Sequence, residues 1–371
     1  MRREIHAKIR SIVENVSESM GAKGFVEIDP GVPVTFNDVD LAESLLPSLE
    51  TVYGPSNVFQ SPRITGAEDF SFFQEEIPGF FFFIGGRPQS ISPAQAILNL
   101  RQIHAATSIP QLVEKITPSV IEWRRDIHQN PELSNREYRT SRVVAEHLRS
   151  LGLEVKTNIA KTGVVGLLRG STDGPVIALR ADMDALPVTE KTGLPYASTA
   201  RGEYEGREVG VMHACGHDAH VAILMGVASV LSQIQSRLNG TVKFIFQPAE
   251  EGAPKGEEGG AKLMVDEGVL TDPPVDAIVG LHISQGGPAG TASYRMRGFM
   301  ASAQRFDVRV EGKQTHGARP WSGIDPIVVS AQIINSLQTI VSRQINITQH
   351  PAVVTVGTIS AGVRMNIVPD E

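Results

Sequence analysis

The sequence predicts an α/β fold, a mostly parallel sheet flanked by helices, together with a smaller α+β domain. Three observations carry that expectation. Between residues 110 and 292, short β-rich runs alternate with helical patterns; from 293 onward a strand, a helix and a second strand follow; and 371 residues are enough for two domains.

Taken in order, residues 2–20 set Ile5, Ile9, Ile12, Val13, Val16 and Met20 on one helical face, and Gly21 stops the helix. "AKGFVEI" reads as a strand, and "LAESLLPSLETVYG" as a helix with an internal proline or as two short ones. "GFFFFIGG" fits a buried strand bounded by glycines. The pattern lapses in "ILNLRQIHAATS", which reads as a linker over 97–106. Beyond it, "SVIEWRRDIHQNPELS" and "TSRVVAEHLRSLG" are expected helices, the second closed by Gly152. "GVVGLLRG", "PVIALRADMD", "TVKFIFQPAEE" and "VDAIVGLHIS" are expected strands, with the helix "AHVAILMGVASVLSQI" between the second and third. Last come the strand "SAQRFDVRVEG", the helix "DPIVVSAQIINSLQTIVSRQ" and the strand "AVVTVGTISAG". They make half of a β-α-β-β-α-β sandwich, and the helix and strand at 2–29 can donate the other half. The larger domain is then 35–96 with 107–292, and the smaller is 293–371 with 1–34, split across the termini.

Composition excludes several function classes. A net charge of −7 without a long basic run argues against a nucleic-acid partner. No apolar stretch approaches the length of a membrane span, so no membrane partner is expected. "MRREIHAKIR" is charged from its first residues and is no secretory signal, so a cytoplasmic location is expected. With one cysteine, an intramolecular disulfide is excluded.

That cysteine lies in "VMHACGHDAH", leaving three readings for Cys215: an inert core thiol, a nucleophile or a metal ligand. Parallel sheets bind ligands at the carboxyl ends of their strands. Asp182 ends one expected strand, Glu250 and Glu251 follow another, His282 ends a third, and Cys215 and His217 precede the long helix. Each feature alone is usually bland; their placement on one rim favours a metal over packing or a Cys-His nucleophile. Such donors suit zinc, or a neighbour such as manganese or cobalt. A Glu-Glu pair lets one carboxylate bind the metal while the other faces the activated water, the arrangement of a metallohydrolase. Asp182 suits orienting a ligand or bridging ions. His316, in a glycine- and proline-rich turn, reads as an oxyanion donor or as a plain turn histidine. His213, Asp218 and His220 read as loop and helix-start residues, and His6, His104, His128, His147 and His350 as structural.

"ALRADMDALP", "MHACGHDAH", "FQPAEEG", "GGAKLMVDEG", "GLH", "GARPWSGIDP" and "MNIVPDE" together resemble the M20 metallopeptidase family. The similar branch is its hippurate-hydrolase-like amidohydrolases of N-acyl amino acids. The resemblance implies a zinc-exopeptidase-like catalytic domain, a ferredoxin-like lid that also makes a homodimer, and two divalent metal ions per site. Zinc or manganese is expected, with cobalt or nickel as options. It implies hydrolysis of an amide beside a free α-carboxylate. Carried over by motif, Cys215, His217, Glu251 and His282 would be ligands, Glu250 the general base, His316 a lid residue acting at the site, and Asn366 a substrate-carboxylate contact. Residues 1–96 resemble the family's carboxyl-terminal part, so the order is circularly permuted or fused. "QIHAATS" at the junction resembles the tail of a signal peptide, as if the parent of 107–371 had been exported. Two departures stand out: one lid strand is missing after "NIVPDE", leaving a sheet edge to be covered or exposed. So is the Asn-His-Ser-Pro-type motif whose histidine completes the metal site. A dipeptidase or aminopeptidase of the same family, and an inactive rearranged remnant, are the alternatives.

Overall fold

Short apolar runs bracketed by glycine and polar turns become the strands of an eight-stranded sheet. The computed structural model describes residues 1–87, 108–348 and 351–371. The sheet order is Val58–Gln60, Ala292–Tyr294, Gly79–Arg87, Ala277–Pro288, Thr172–Asp182, Asn239–Gln247, Gly163–Arg169 and Glu154–Ile159. Its four middle strands, from Gly79–Arg87 to Asn239–Gln247, run parallel; antiparallel strands flank them. Parallel strands are covered on both faces, which is why "GVVGLLR" next to them and "GFFFF" among them are apolar throughout rather than alternating.

The chain divides into two compact units. The larger, Pro33–Pro62 with Glu68–Met300, holds this sheet. Helices Ile109–Gln129, Tyr138–Ser150 and His217–Gln233 send Ile127, Val144, Leu148, Leu224 and Met225 into one core with Val164, Leu168, Phe244 and Phe246 of the sheet. Burying a side chain of this size contributes about 1.5–3 kcal/mol each. Ser108 and Gln111 form a capping box that starts the first of these helices. "LAESLLPSLETVYG" is a single helix, Val39–Tyr53, that accommodates Pro47 and is capped by Asp38 accepting from Leu41 N at 2.8 Å.

The smaller unit comprises Met1–Val32, Arg63–Ala67 and Ala301–Glu371. Helices Arg2–Ser19 and Pro326–Thr339 bury Ile9, Val13, Val329, Ile333 and Leu337 against the antiparallel pair Lys23–Val32 and Ala303–Glu311. The strand expected over "AVVTVGTISAG" does not form: residues 351–362 have no regular structure. Ala352, Val354 and Val356 still alternate as half-buried positions, and Val356 packs on the core. The side-chain pattern for a strand is therefore present, but among the described residues no neighbouring backbone pairs with it, and a strand without a ladder is not stable. The expected linker at 97–106, with His104, and also His350 lie outside the described residues.

Candidate metal centre

The larger unit's sheet delivers its reactive side chains to one place because parallel strands end together. Asp182 is the last residue of its strand and sits in register with Gln247. Glu250 and Glu251 follow just past that strand's end. His282 lies within the Ala277–Pro288 strand, two residues beyond its last rung with the Thr172–Asp182 strand at Gly280. Gly216, at φ 101°, turns the loop carrying Cys215 into the helix that begins at His217. A Cβ there would meet Ile283 Cγ2 at 2.4 Å, so only glycine lets this loop approach the strand bearing His282.

Cys215 Sγ lies 3.3 Å from His282 Nε2. His217 Nε2 lies 3.7 Å from Glu250 Oε2 and 3.9 Å from Glu251 Oε1. Cys215, His217 and His282 form one group with ligand atoms within 4.8 Å of one another, and His217, Glu250 and Glu251 form a second. The tautomers suit this. His217 Nδ1 donates to Asp184 O at 2.9 Å and His282 Nδ1 to Ile283 O at 2.6 Å, so in each neutral ring the lone pair is on Nε2. His217 Nε2 is buried and, among the described residues, has no hydrogen-bond partner. A thiol, two imidazole nitrogens, one of them the buried orphan of His217, and two carboxylates fit a divalent cation of the zinc or manganese type.

The electrostatics point the same way. Burial opposes a charged His217, but the Asp182 and Asp184 carboxylates outweigh it and hold its pKa well above the ordinary value. Burial, then Glu68 and Asp69, push the Glu250 carboxyl well above its usual range. Burial likewise raises the Cys215 thiol and the Glu251 carboxyl. The pocket thus carries more negative charge than it can keep without protons, and a cation would compete with those protons.

Asp182, expected to orient a ligand or bridge ions, bonds His220 and Arg180 and lies 3.8 Å from His217 Nδ1. Its Oδ1 accepts from His220 Nδ1 at 2.6 Å, while His220 Nε2 accepts from Ile283 N at 2.9 Å. Both ring nitrogens of His220 are used, so although Asp182, His217 and His220 cluster closely, His220 has no lone pair left to offer. It instead ties Asp182 to the backbone next to His282. Arg180, fully buried, bonds Asp182 at 2.7 Å and Glu68 and Asp69 at 3.0 Å each. Asp184 accepts from Ser134 Oγ at 2.7 Å and from the backbone N–H groups of Glu250 and Glu251.

Sequence reading did not single out Glu68, Asp69, Glu137, Arg180 or Asp184. "ADMD" offered a hint for Asp184, two residues from Asp182 on the same side of an extended chain. Glu68 and Asp69 come from a distant segment, and no local spacing marks them. His213 is buried with both ring nitrogens unpartnered among the described residues, and burial pulls its pKa down to about 4. His316 and Asn366 belong to the smaller unit. There the Thr315–His316 strand pairs with Ile367–Val368, and Gly317 N donates to Asn366 O at 2.8 Å. His316 is exposed, and its Nδ1 accepts from Ala318 N at 3.0 Å.

Comparison with known proteins places this geometry. The model of peptidase family M20/M25/M40 matches residues 11–111 and 178–368. Thermostable carboxypeptidase 2 of Saccharolobus solfataricus is 45% identical over 260 residues, 70% of this chain and 63% of that protein. N-acetyl-L-cysteine deacetylase of Bacillus subtilis is 42% identical over 71% of this chain and 59% of its own length. N-acyl-L-amino acid amidohydrolase of Geobacillus stearothermophilus is 40% identical over 71% and 67%. The matches to the first two thus span about three fifths of each relative. A crystal structure of a candidate aminohydrolase from methicillin-resistant Staphylococcus aureus superposes with a TM-score of 0.55 at 33% identity, covering 70% of this chain and 63% of that one. No helix among the described residues is long and apolar enough to cross a membrane. On the family match, the chain belongs to peptidase family M20/M25/M40.

Proposed function

We propose that the chain is a metal-dependent hydrolase that cleaves the amide bond of N-acyl amino acids. The observation that carries this reading is the unpartnered Nε2 of buried His217, facing two carboxylates, in a cluster with Cys215 and His282. Cys215, His217, Glu251 and His282 are the proposed holders of divalent metal, two ions per site; zinc or manganese suits the donors. When bound, the metal supplies Lewis-acid polarisation and makes water acidic enough to deprotonate near neutral pH. Glu250 takes the proton of the attacking water and returns it to the leaving amine. Glu250 Oε2 lies 3.7 Å from His217 Nε2, beside the proposed ligands, as a base for that water must. By motif, His316 is assigned to oxyanion stabilisation and Asn366 to the substrate carboxylate, with the larger unit as catalytic domain and the smaller as lid. Relatives named deacetylase and amidohydrolase support the acyl-amino-acid reading.

The carboxypeptidase names favour a second reading, a peptidase of the same chemistry. Turnover of N-acetyl and N-benzoyl amino acids against free dipeptides separates the two. Glu250→Ala is expected to keep its metal and to lose about 100-fold or more in kcat, the order typical of a lost general base. Unchanged kcat in that variant would remove Glu250 from the mechanism. A purified chain with neither metal nor turnover would leave the inactive remnant as the better description.

A further inference from the structure

We propose that Glu137 is a positioning residue for the turn presenting Glu250 and Glu251, an inference that rests on the hydrolase reading above. That turn leaves the Asn239–Gln247 strand through Pro248 and Ala249. Ala249 stands at φ 52°, in the left-handed region that alanine occupies only when its surroundings hold it there. Three successive amides of the turn are held by two buried carboxylates. Ala249 N donates to Glu137 Oε1 at 2.9 Å, Glu250 N to Asp184 Oδ1 at 3.0 Å, and Glu251 N to Asp184 Oδ2 at 3.1 Å.

Glu137 is anchored in turn. Its Oε1 also accepts from Asn135 N at 3.0 Å and its Oε2 from Thr162 Oγ1 at 2.5 Å, and its side chain is fully buried. A carboxylate kept out of water is unfavourable unless donors surround it. Here the donors are those three, and one of them is the strained residue of the turn. Asp184 also lies 3.4 Å from His217 Nδ1, so it has a partner in the metal cluster itself. Glu137 touches the turn itself through the Ala249 amide. Without its acceptor, Ala249 is free to relax toward right-handed backbone, which swings Glu250 and Glu251 away from His217 Nε2. The consequence falls on proton transfer and metal affinity and spares substrate affinity.

The test uses the full chain, zinc titration by calorimetry, and kinetics on an N-acetyl amino acid. Glu137→Asp keeps the charge but withdraws the acceptor by one methylene; Glu137→Gln keeps an acceptor oxygen at the original reach. Glu137→Asp is expected to lower kcat about 30-fold or more with KM within about three-fold, as small misplacements of reacting groups do. Its zinc affinity is expected to fall about 10-fold, the effect of a lost supporting partner. Glu137→Gln is expected to remain within about three-fold of the parent in both. Parent-like kcat and zinc affinity in Glu137→Asp overturn the proposal, as does a Glu137→Gln variant that falls as far as Glu137→Asp. If the parent binds zinc but hydrolyses no amide, the hydrolase reading fails alone, and zinc affinity still decides the role of Glu137. A parent that binds no zinc overturns both.

Discussion

His220 shows how one residue's hydrogen bonds decide its chemistry. It stands one helical turn from His217, in the same short motif, and could have been a ligand by spacing. Its Nε2 is instead occupied by Ile283 N and its Nδ1 by Asp182. It therefore ties Asp182 to the strand that carries His282, and burial lowers the His282 pKa to about 4, which leaves the imidazole a lone pair to offer at neutral pH. His220→Ala is expected to weaken zinc binding about 10–100-fold while leaving every proposed ligand in place, the range seen when a ligand's supporting partner is removed. Calorimetric titration measures it, and an unchanged affinity would mean that the Asp182–His220–Ile283 chain does not support the metal site.

At the scale of elements, the helix Ile109–Gln129 is joined to the start of the helix His217–Gln233 by a charged cluster that is buried except for the half-exposed Arg124. His128 Nδ1 lies 2.9 Å from Asp218 and its Nε2 3.3 Å from Glu190, while Arg124 bonds Asp218 at 2.8 Å. The hydrogen bond to Asp218, helped by the charges of Asp218 and Glu190 and opposed by burial, raises the His128 pKa above its ordinary value. A folded-state pKa above the unfolded one means that folding draws a proton to the ring. The stabilisation is fully present below the unfolded value of about 6.5 and is lost as the pH rises through the folded value. His128→Asn is therefore expected to cost more stability at pH 6 than at pH 8.5. Denaturant unfolding followed through Trp123, which packs on the larger unit's core, gives the comparison; an equal cost at both pH values would show that the ring stays neutral.

At the scale of the whole molecule, the family resemblance leads us to expect a homodimer formed through the smaller unit, so light scattering should return twice the 40.0 kDa chain mass; a mass of one chain would remove that expectation. Much of the architecture was legible in residue order. Helical periodicity placed the Arg2–Ser19 helix, and short apolar runs bounded by turn residues placed the Gly79–Arg87 strand and its parallel neighbours, because burial of one face leaves a repeat in the chain and burial of two leaves an unbroken run. Residue types and strand ends pointed to Cys215, His217, Glu250, Glu251 and His282, since donors with lone pairs are few and parallel strands finish on one side. What the sequence could not supply was pairing. Residues 351–362 carry the alternation of a strand, yet strand formation depends on a partner backbone that local sequence does not encode. The same holds for polar contacts: that Asp182 serves His220, that Arg180 is enclosed by Glu68, Asp69 and Asp182, and that Glu137 holds Ala249 follow from segments up to 112 positions apart. Sequence by itself determined which side chains could do the chemistry; tertiary structure decided which of their atoms are left free to do it, because hydrogen bonds to distant backbone and carboxylates use up the rest.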